Sequence, residues 1–301
     1  MTFRLEGTMT ALVTPMRDDA DRSLDLPALA RLVEQQIAGG IEGLVACGTT
    51  GEAVTLSDEE YALVVGGVVK LAHGRVPVVA GAGSNSTAKT IANARLAESL
   101  GVDALLVVTP YYNKPTQAGL LAHFRAVADA VKTPIILYNV PGRTGCNLLP
   151  ATAAELAKDP RFVGVKEASG SLDQVQEIVG RVAALGREDF GVVSGEDGLN
   201  VPIYSVGGRG AISVASNPAP TLTTALYRLF RAGRTAEAGR GQVALHGFIK
   251  TLFSEPNPQP AKMAMHLLGL MEPVTRLPLL TALPATTEQL RKDMKALGLL
   301  A

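Results

Sequence analysis

The feature that most constrains the fold is an alternation of short apolar runs with longer amphipathic segments, repeated eight times within about the first 230 residues. A continuous apolar run bounded by turn residues is typical of a strand buried on both faces of a parallel sheet. The eight runs cover residues 7–15, 41–49, 76–83, 102–110, 134–141, 162–170, 190–197 and 210–216. Such alternation leaves two α/β architectures, an open doubly wound sheet or a closed barrel. Eight units in this length favour a (β/α)8 TIM barrel.

The segments between the runs have helical periodicity and helix-start signals. Leu26, Leu29, Val33 and Ile37 form an apolar stripe at helical spacing, and glycines at 39 and 40 predict its end. Ser57 and Ser86 precede two further segments as predicted N-caps.

The pattern changes near residue 234. Three helical segments follow, separated by the Pro-rich EPNPQP and by RLPLLTALPA. We therefore predict a catalytic barrel over residues 1–233 and a helical C-terminal domain over 234–301. The second unit is small, so its predicted role is to pack on the barrel or on another subunit.

Charge and composition exclude several classes of partner. Lysine plus arginine (28) balances aspartate plus glutamate (28), which provides no basic surface for nucleic acid or an anionic membrane. No run is long enough to span a membrane, and the first residues lack the pattern of a signal peptide. Two isolated cysteines indicate a cytoplasmic protein. Four histidines without ligand spacing predict no catalytic metal.

Polar residues stand where four of the predicted strands end. These stretches are GTTGE (48–52), TPYYNKP (109–115), YNVPGRTG (138–145) and KEASG (166–170). Active sites of (β/α)8 barrels lie at the C-terminal ends of the strands. The sequence therefore predicts a site for a small molecule at this end.

Lys166 lies inside an apolar strand, where alternation predicts Phe162, Gly164 and Lys166 on one face and Val163 and Val165 on the other. If the valines face the helices, Lys166 points into the barrel mouth. Burial disfavours the ammonium form and so favours the free amine that attacks a carbonyl. Lys166 is thus predicted to be a Schiff-base nucleophile. The alternative is a structural lysine that pairs with Glu167 or reaches the rim of the barrel.

Neighbouring strand ends supply residues that suit this chemistry. Tyr138 could act as a general acid and base towards a substrate on Lys166, or it could be a core tyrosine. Arg143 carries a planar donor fork that suits a carboxylate, although a loop arginine is often merely solvated. The GTTG run at 48–51 offers backbone N–H groups and two hydroxyls to an anion, most simply a carboxylate.

The motifs GTTGE, TPYYNKPTQ, YNVPGRTG and GVKEASG, in this order, resemble the dihydrodipicolinate synthase branch of the pyruvate-dependent aldolase family, which also includes N-acetylneuraminate lyase. The resemblance extends to EPNPQPAK and RLPL near the C-terminus. It implies a homotetrameric barrel enzyme of lysine biosynthesis. The implied reaction condenses pyruvate with L-aspartate 4-semialdehyde to 4-hydroxy-tetrahydrodipicolinate, with no organic cofactor.

The resemblance also implies a role for each matching residue. Lys166 forms the Schiff base, and Tyr138, Thr49 and Tyr112 relay protons, with Tyr112 reaching in from a neighbouring subunit. The remaining implied contacts are Thr49 and Thr50 with the pyruvate carboxylate, Arg143 with the carboxylate of the semialdehyde, and the carbonyls of Gly195 and Ile212 lining the site.

Two other functions remain open. A lyase of the same family could cleave a 2-keto-3-deoxy sugar acid or N-acetylneuraminate through the same lysine, although sialic-acid lyases usually carry GSTGE in place of GTTGE. A non-catalytic barrel could bind a keto acid, but it would not need Lys166, Tyr138 and Tyr112 together.

Feedback regulation is predicted to be weak or absent. In lysine-inhibited relatives, histidines and a glutamate help to bind an effector lysine. The matching positions here carry Asp58, Tyr61 and Lys89, whereas Asn85 and Tyr111 follow the pattern of those relatives. Lys89 would repel the ammonium group that a glutamate attracts, unless Asp58 or another carboxylate compensates for its charge.

Overall fold

The computed structural model describes residues 3–301, in which eight parallel strands close into a barrel. The strands are β1 (Gly7–Ala11), β2 (Gly43–Ala46), β3 (Val78–Gly81), β4 (Ala104–Val108), β5 (Ile135–Asn139), β6 (Phe162–Glu167), β7 (Gly191–Ser194) and β8 (Gly210–Ser213). Each strand pairs with the next along the chain, and β8 pairs with β1. All eight lie within the predicted apolar runs, so the (β/α)8 prediction is confirmed.

The helices of residues 3–301 surround this barrel and continue beyond it. They are α1 (Leu26–Ala38), α2 (Asp58–Ala72), α3 (Thr87–Ser99), α4 (Gln117–Ala130), α5 (Pro141–Thr144), α6 (Pro150–Ala157), α7 (Leu172–Ala184), α8 (Asn200–Ser205), α9 (Pro220–Arg231), α10 (Thr235–Leu252), α11 (Gln259–Leu267) and α12 (Pro284–Ala296). Ser57 and Ser86 cap α2 and α3 as predicted, each accepting a hydrogen bond from a backbone N–H in the first turn. Leu29 and Val33 of the α1 stripe are buried, whereas Leu26 at its start is exposed.

The apolar core has two layers. One cluster fills the barrel interior with residues such as Met9, Val45 and Ile136. The other, which includes Leu44 and Leu137, lies between the strands and the surrounding helices. Successive residues of a strand enter different layers, because side chains alternate across a sheet. A polar side chain on the inner face is therefore directed into the barrel.

The alternation predicted for β6 is wrong at the start of this strand. Consecutive residues of β5 pair with Phe162 and Gly164, so one extra residue is inserted in β6. Phe162 therefore packs in the helix layer, edge-on to Phe124 at 6.5 Å between ring centroids, and Val163 joins the barrel interior. The inserted residue interrupts the alternation of side chains between the two faces of the sheet. Beyond it, Lys166 faces inward as predicted, beside the inward-facing Tyr138.

Three helices follow the barrel, in the three segments where the sequence predicts them. α10 packs against α9 and α12, and α11 packs against α12. The division of the chain near residue 234 remains a prediction. Among residues 3–301, no helix combines the length and the apolar composition needed to cross a lipid bilayer.

Candidate active site

A cavity of about 460 Å³ opens at the C-terminal ends of β2 to β5. Its walls include Thr49 from the loop after β2, Tyr138 from β5 and Arg143 from α5. Three of the predicted site residues therefore meet at one opening. The opening lies at the end of the barrel where (β/α)8 enzymes hold their substrates.

Lys166 lies beside this cavity, on the strand next to that of Tyr138. The two residues occupy matching positions of adjacent parallel strands, and both side chains are 6% exposed. The Nζ atom of Lys166 is 4.5 Å from the centroid of the Tyr138 ring. The fold thus brings an amine and a phenol together in a largely enclosed space.

Gly195 packs against the side chain of Lys166. A Cβ atom at this position would lie 2.7 Å from the Ala168 side chain and 3.0 Å from Cε of Lys166. Any larger residue at 195 would therefore displace the lysine. Ile212, the other residue predicted to line the site through its carbonyl, is buried inside the barrel on β8.

The Glu167 carboxylate does not pair with the Lys166 amine, so the structure excludes the alternative in which these two residues form an ion pair. Its buried carboxylate accepts hydrogen bonds from Asn139 Nδ2 and Gln174 Nε2, both at 3.0 Å, and from the Ser169 backbone N–H at 2.7 Å. No acidic group among residues 3–301 lies within 4.0 Å of the Lys166 amine. Lys166 therefore has no ion-pair partner within the described chain.

Two acidic residues follow Gly195 at the end of β7. Burial raises the pKa of the Glu196 carboxyl, and the charge of Asp197 raises it further, whereas the Lys166 ammonium opposes both effects. Asp197 is buried and accepts the backbone N–H groups of Val214 and Ala215, each at 2.9 Å. Asp197 thus ties the end of β7 to the segment that follows β8.

The loop after β2 is held by residues from the distant C-terminal part of the chain. Thr49 is exposed at the cavity, whereas Thr50 is buried and its Oγ1 accepts a hydrogen bond from Asn257 Nδ2 at 2.9 Å. Glu52 has a left-handed backbone with φ of 53° and forms a buried ion pair with Lys262. Burial lowers the pKa of the Lys262 ammonium, and Glu52 opposes that shift.

Sequence reasoning missed Asn257 and Lys262 as residues of this region. Both belong to the EPNPQPAK segment, which the sequence marks only as part of a resemblance. Only a motif comparison draws attention to this segment, because more than 200 residues separate it from Thr50 along the chain.

Arg143 and Tyr112 lie at the outer part of the site. Arg143 is exposed, and none of the ion pairs within residues 3–301 involves it. Tyr112 has φ of 74°, is 88% exposed and is not part of the cavity wall. The fold of one chain therefore brings Lys166, Tyr138 and Gly195 together but leaves the Tyr112 phenol in the open.

The positions matched to an effector site lie in the same cavity. Asp58, Tyr61, Lys89 and Tyr111 contribute to its wall. The Lys89 ammonium is 2.7 and 3.0 Å from the two carboxylate oxygens of Asp58. The Lys89 charge is thus balanced locally by an exposed ion pair.

Metal-ligating side chains do not cluster among residues 3–301, and both cysteines are buried. No three His, Cys, Asp or Glu side chains of residues 3–301 are close enough together to hold a metal ion. Cys47 and Cys146 are buried free thiols, and burial raises the pKa of both.

Comparison with known proteins agrees with this geometry. The model of the dihydrodipicolinate synthetase family matches residues 4–297. A 4-hydroxy-tetrahydrodipicolinate synthase from Maridesulfovibrio salexigens is 45% identical over the full length of both chains. The crystal structure of dihydrodipicolinate synthase from Thermotoga maritima superposes with a TM-score of 0.96, at 42% identity and full coverage of both chains.

A second solved structure adds a bound ligand. It is a chloride-inhibited dihydrodipicolinate synthase from Acinetobacter baumannii in complex with pyruvate. It has a TM-score of 0.93 and 40% identity, with 98% of this chain and 99% of that chain covered. On the family match and these full-length similarities, the chain belongs to the dihydrodipicolinate synthetase family.

Proposed function

We propose that the protein is a lyase of the class I aldolase type that condenses pyruvate with L-aspartate 4-semialdehyde to 4-hydroxy-tetrahydrodipicolinate, in lysine and diaminopimelate biosynthesis. The observation that carries this proposal is the enclosed pair of Lys166 and Tyr138 at the barrel mouth, with Nζ 4.5 Å from the ring centroid. The full-length synthase relative and the relative that binds pyruvate support it.

In the first step, the Lys166 amine attacks the keto carbon of pyruvate to form a carbinolamine. Loss of water then leaves an iminium ion. We assign the proton donated to the departing hydroxyl to Tyr138, because Tyr138 lies beside Lys166 on the neighbouring strand. Gly195 leaves room for the lysine side chain to reach the substrate.

In the second step, the iminium acidifies the pyruvate methyl group. The Tyr138 phenolate left by the first step takes a methyl proton, which gives an enamine. The enamine carbon attacks the aldehyde carbon of the semialdehyde and forms the new carbon–carbon bond, and Tyr138 returns the proton to the aldehyde oxygen, which becomes the hydroxyl of the product. The amino group of the second substrate then displaces Lys166 and closes the ring. The lysine itself is the electron sink, so the proposed chemistry uses no organic cofactor and no metal.

Carboxylate recognition is assigned to the loops around the cavity. Thr49 and Thr50 hold the pyruvate carboxylate, and Arg143 binds that of the semialdehyde with its donor fork. Two features support the assignment of Arg143: it lies at the cavity, and it has no ion-pair partner among residues 3–301. The Gly195 and Ile212 carbonyls line the inner wall.

We further propose a cytoplasmic homotetramer in which Tyr112 completes the proton relay of a neighbouring subunit, together with Thr49 and Tyr138. The exposure of Tyr112 and its left-handed backbone support this arrangement, because an aromatic side chain left in the open is available to a second copy of the chain. Replacement of Tyr112 by phenylalanine is expected to slow turnover by about 10²-fold through loss of proton transfer. A wild-type rate in this variant would exclude the relay.

The central test is to trap the covalent intermediate. Borohydride reduction in the presence of pyruvate, followed by mass spectrometry, should add a pyruvate-derived mass to Lys166. The variant Lys166→Ala should show neither adduct nor turnover. Turnover with aspartate semialdehyde should be compared with cleavage of sugar acids and N-acetylneuraminate. Efficient sugar-acid cleavage without condensation would replace the synthase assignment by the related lyase activity.

A further inference from the structure

The C-terminal part of the chain reaches the carboxylate-binding loop through buried polar contacts. Asn257, which lies between α10 and α11, donates its amide N–H to Oγ1 of Thr50 at 2.9 Å. Two residues further along this loop, Glu52 is paired with Lys262 of α11 and accepts the backbone N–H of Arg276 at 3.1 Å. The loop after β2 is therefore anchored from outside the barrel.

The direction of the Asn257–Thr50 hydrogen bond has a chemical consequence. A threonine hydroxyl has one proton to donate and two lone pairs with which to accept. The Asn257 amide occupies one of the lone pairs, which leaves the hydroxyl proton for another acceptor. Thr50 is 3% exposed and Asn257 is 5% exposed, so bulk water has little access to either group.

We propose that Asn257 is a positioning residue for the keto-acid carboxylate. By donating to Thr50 Oγ1, it directs the Thr50 hydroxyl proton away from itself and towards the carboxylate. The inference rests on the proposed function, in which Thr50 holds the carboxylate of pyruvate. Asn257 acts through Thr50 and does not touch the substrate.

The neighbouring ion pair keeps this arrangement in place. Glu52 adopts a left-handed backbone, which is unfavourable for a residue with a side chain. Its carboxylate is held by the Lys262 ammonium, which also donates to the Val274 carbonyl at 2.8 Å. Asn257 and Lys262 thus fix the hydroxyl direction and the backbone path of one short loop.

The decisive variant is Asn257→Asp, which has nearly the same shape but places a hydrogen-bond acceptor opposite Thr50. The Thr50 proton would then turn towards residue 257 and away from the substrate. We expect KM for pyruvate to rise about 10- to 100-fold. We expect kcat to change by less than about threefold, because Lys166 and Tyr138 are untouched. Asn257→Ala, which removes the donor without adding charge, should raise KM by a smaller factor.

A double-mutant cycle with Thr50→Val separates positioning from simple charge repulsion. In that background the hydroxyl is absent, so Asn257→Asp should have little further effect on KM. Gln289→Glu makes the same amide-to-acid change on the exposed face of α12 and should leave KM for pyruvate unchanged. Circular dichroism checks folding, and Asn257→Ala carries the test if the aspartate variant does not fold.

The outcomes separate this inference from the function on which it rests. A wild-type protein without a pyruvate adduct on Lys166 refutes both. A wild-type adduct combined with an unchanged KM in Asn257→Asp refutes only the positioning role, since an acceptor at residue 257 would then have no effect on binding of the carboxylate. A KM increase that persists in full in the Thr50→Val background also refutes it, because charge alone would explain the effect.

Discussion

Removal of the Lys262 ammonium is expected to destabilise the protein strongly. Lys262 is fully buried, and its partner Glu52 is only 3% exposed. In Lys262→Met the methionine fills much of the same space, but the Glu52 carboxylate keeps only the Arg276 backbone N–H as a donor. A buried charge is then left without its counter-ion.

The magnitude follows from the burial of both partners. Breaking a buried pair by removing one partner costs about 3–5 kcal/mol, whereas replacing both with groups of similar size is often nearly neutral. For a chain of 301 residues, an unfolding entropy of about 0.6 kcal/mol/K converts this loss into a fall in Tm of about 5–8 °C. The double variant Glu52→Gln with Lys262→Met should recover at least half of that fall.

Differential scanning calorimetry at one protein concentration measures this effect, because association would make Tm depend on concentration. Lys292→Met, on the exposed face of α12, is the matched control and should shift Tm by less than about 1 °C. A Lys262→Met variant within about 2 °C of wild type would refute the argument. So would a double variant that is less stable than the single one.

Three further predictions concern stability and regulation. A hydrogen bond from Arg276 holds the pKa of the Glu60 carboxyl below its usual value of 4.5. The contribution of this carboxylate to the stability of the fold is therefore fully present above about pH 4.5 and is lost as the pH falls through the lower folded pKa. Glu60→Gln should therefore lower Tm at neutral pH, and the difference from wild type should shrink as the pH falls below about 4.5 and vanish below the folded pKa. In Gly164→Ala, the added Cβ would lie 2.2 Å from the Gly191 carbonyl oxygen, so the free energy of unfolding measured by chemical denaturation should fall by about 1–3 kcal/mol. An unchanged denaturation midpoint would contradict this close packing. Initial rates should be insensitive to L-lysine, because the Asp58 carboxylate in the cavity wall is already paired with Lys89 and is not free to bind a second ammonium group; half-inhibition below about 1 mM would overturn this.

The sequence by itself was sufficient to predict the barrel and the inward orientation of Lys166. Eight apolar runs identify eight buried strands, because a strand covered on both faces needs little polar surface. A lysine within such a run stands out for the same reason, since an unpaired ammonium is costly to bury. The position of Tyr138 at the end of the preceding strand follows from barrel order, in which successive parallel strands are neighbours.

Only the tertiary structure decided which face each β6 residue occupies and what holds the site together. The inserted residue beside Phe162 depends on how β6 pairs with β5, and strand alternation alone cannot reveal it. The contact of Asn257 with Thr50 joins residues 207 positions apart along the chain, and no local sequence pattern predicts a contact across such a separation. The periodicity of apolar residues indicates which side chains of each segment are buried, whereas hydrogen-bond partners and ion pairs form only when distant segments pack together.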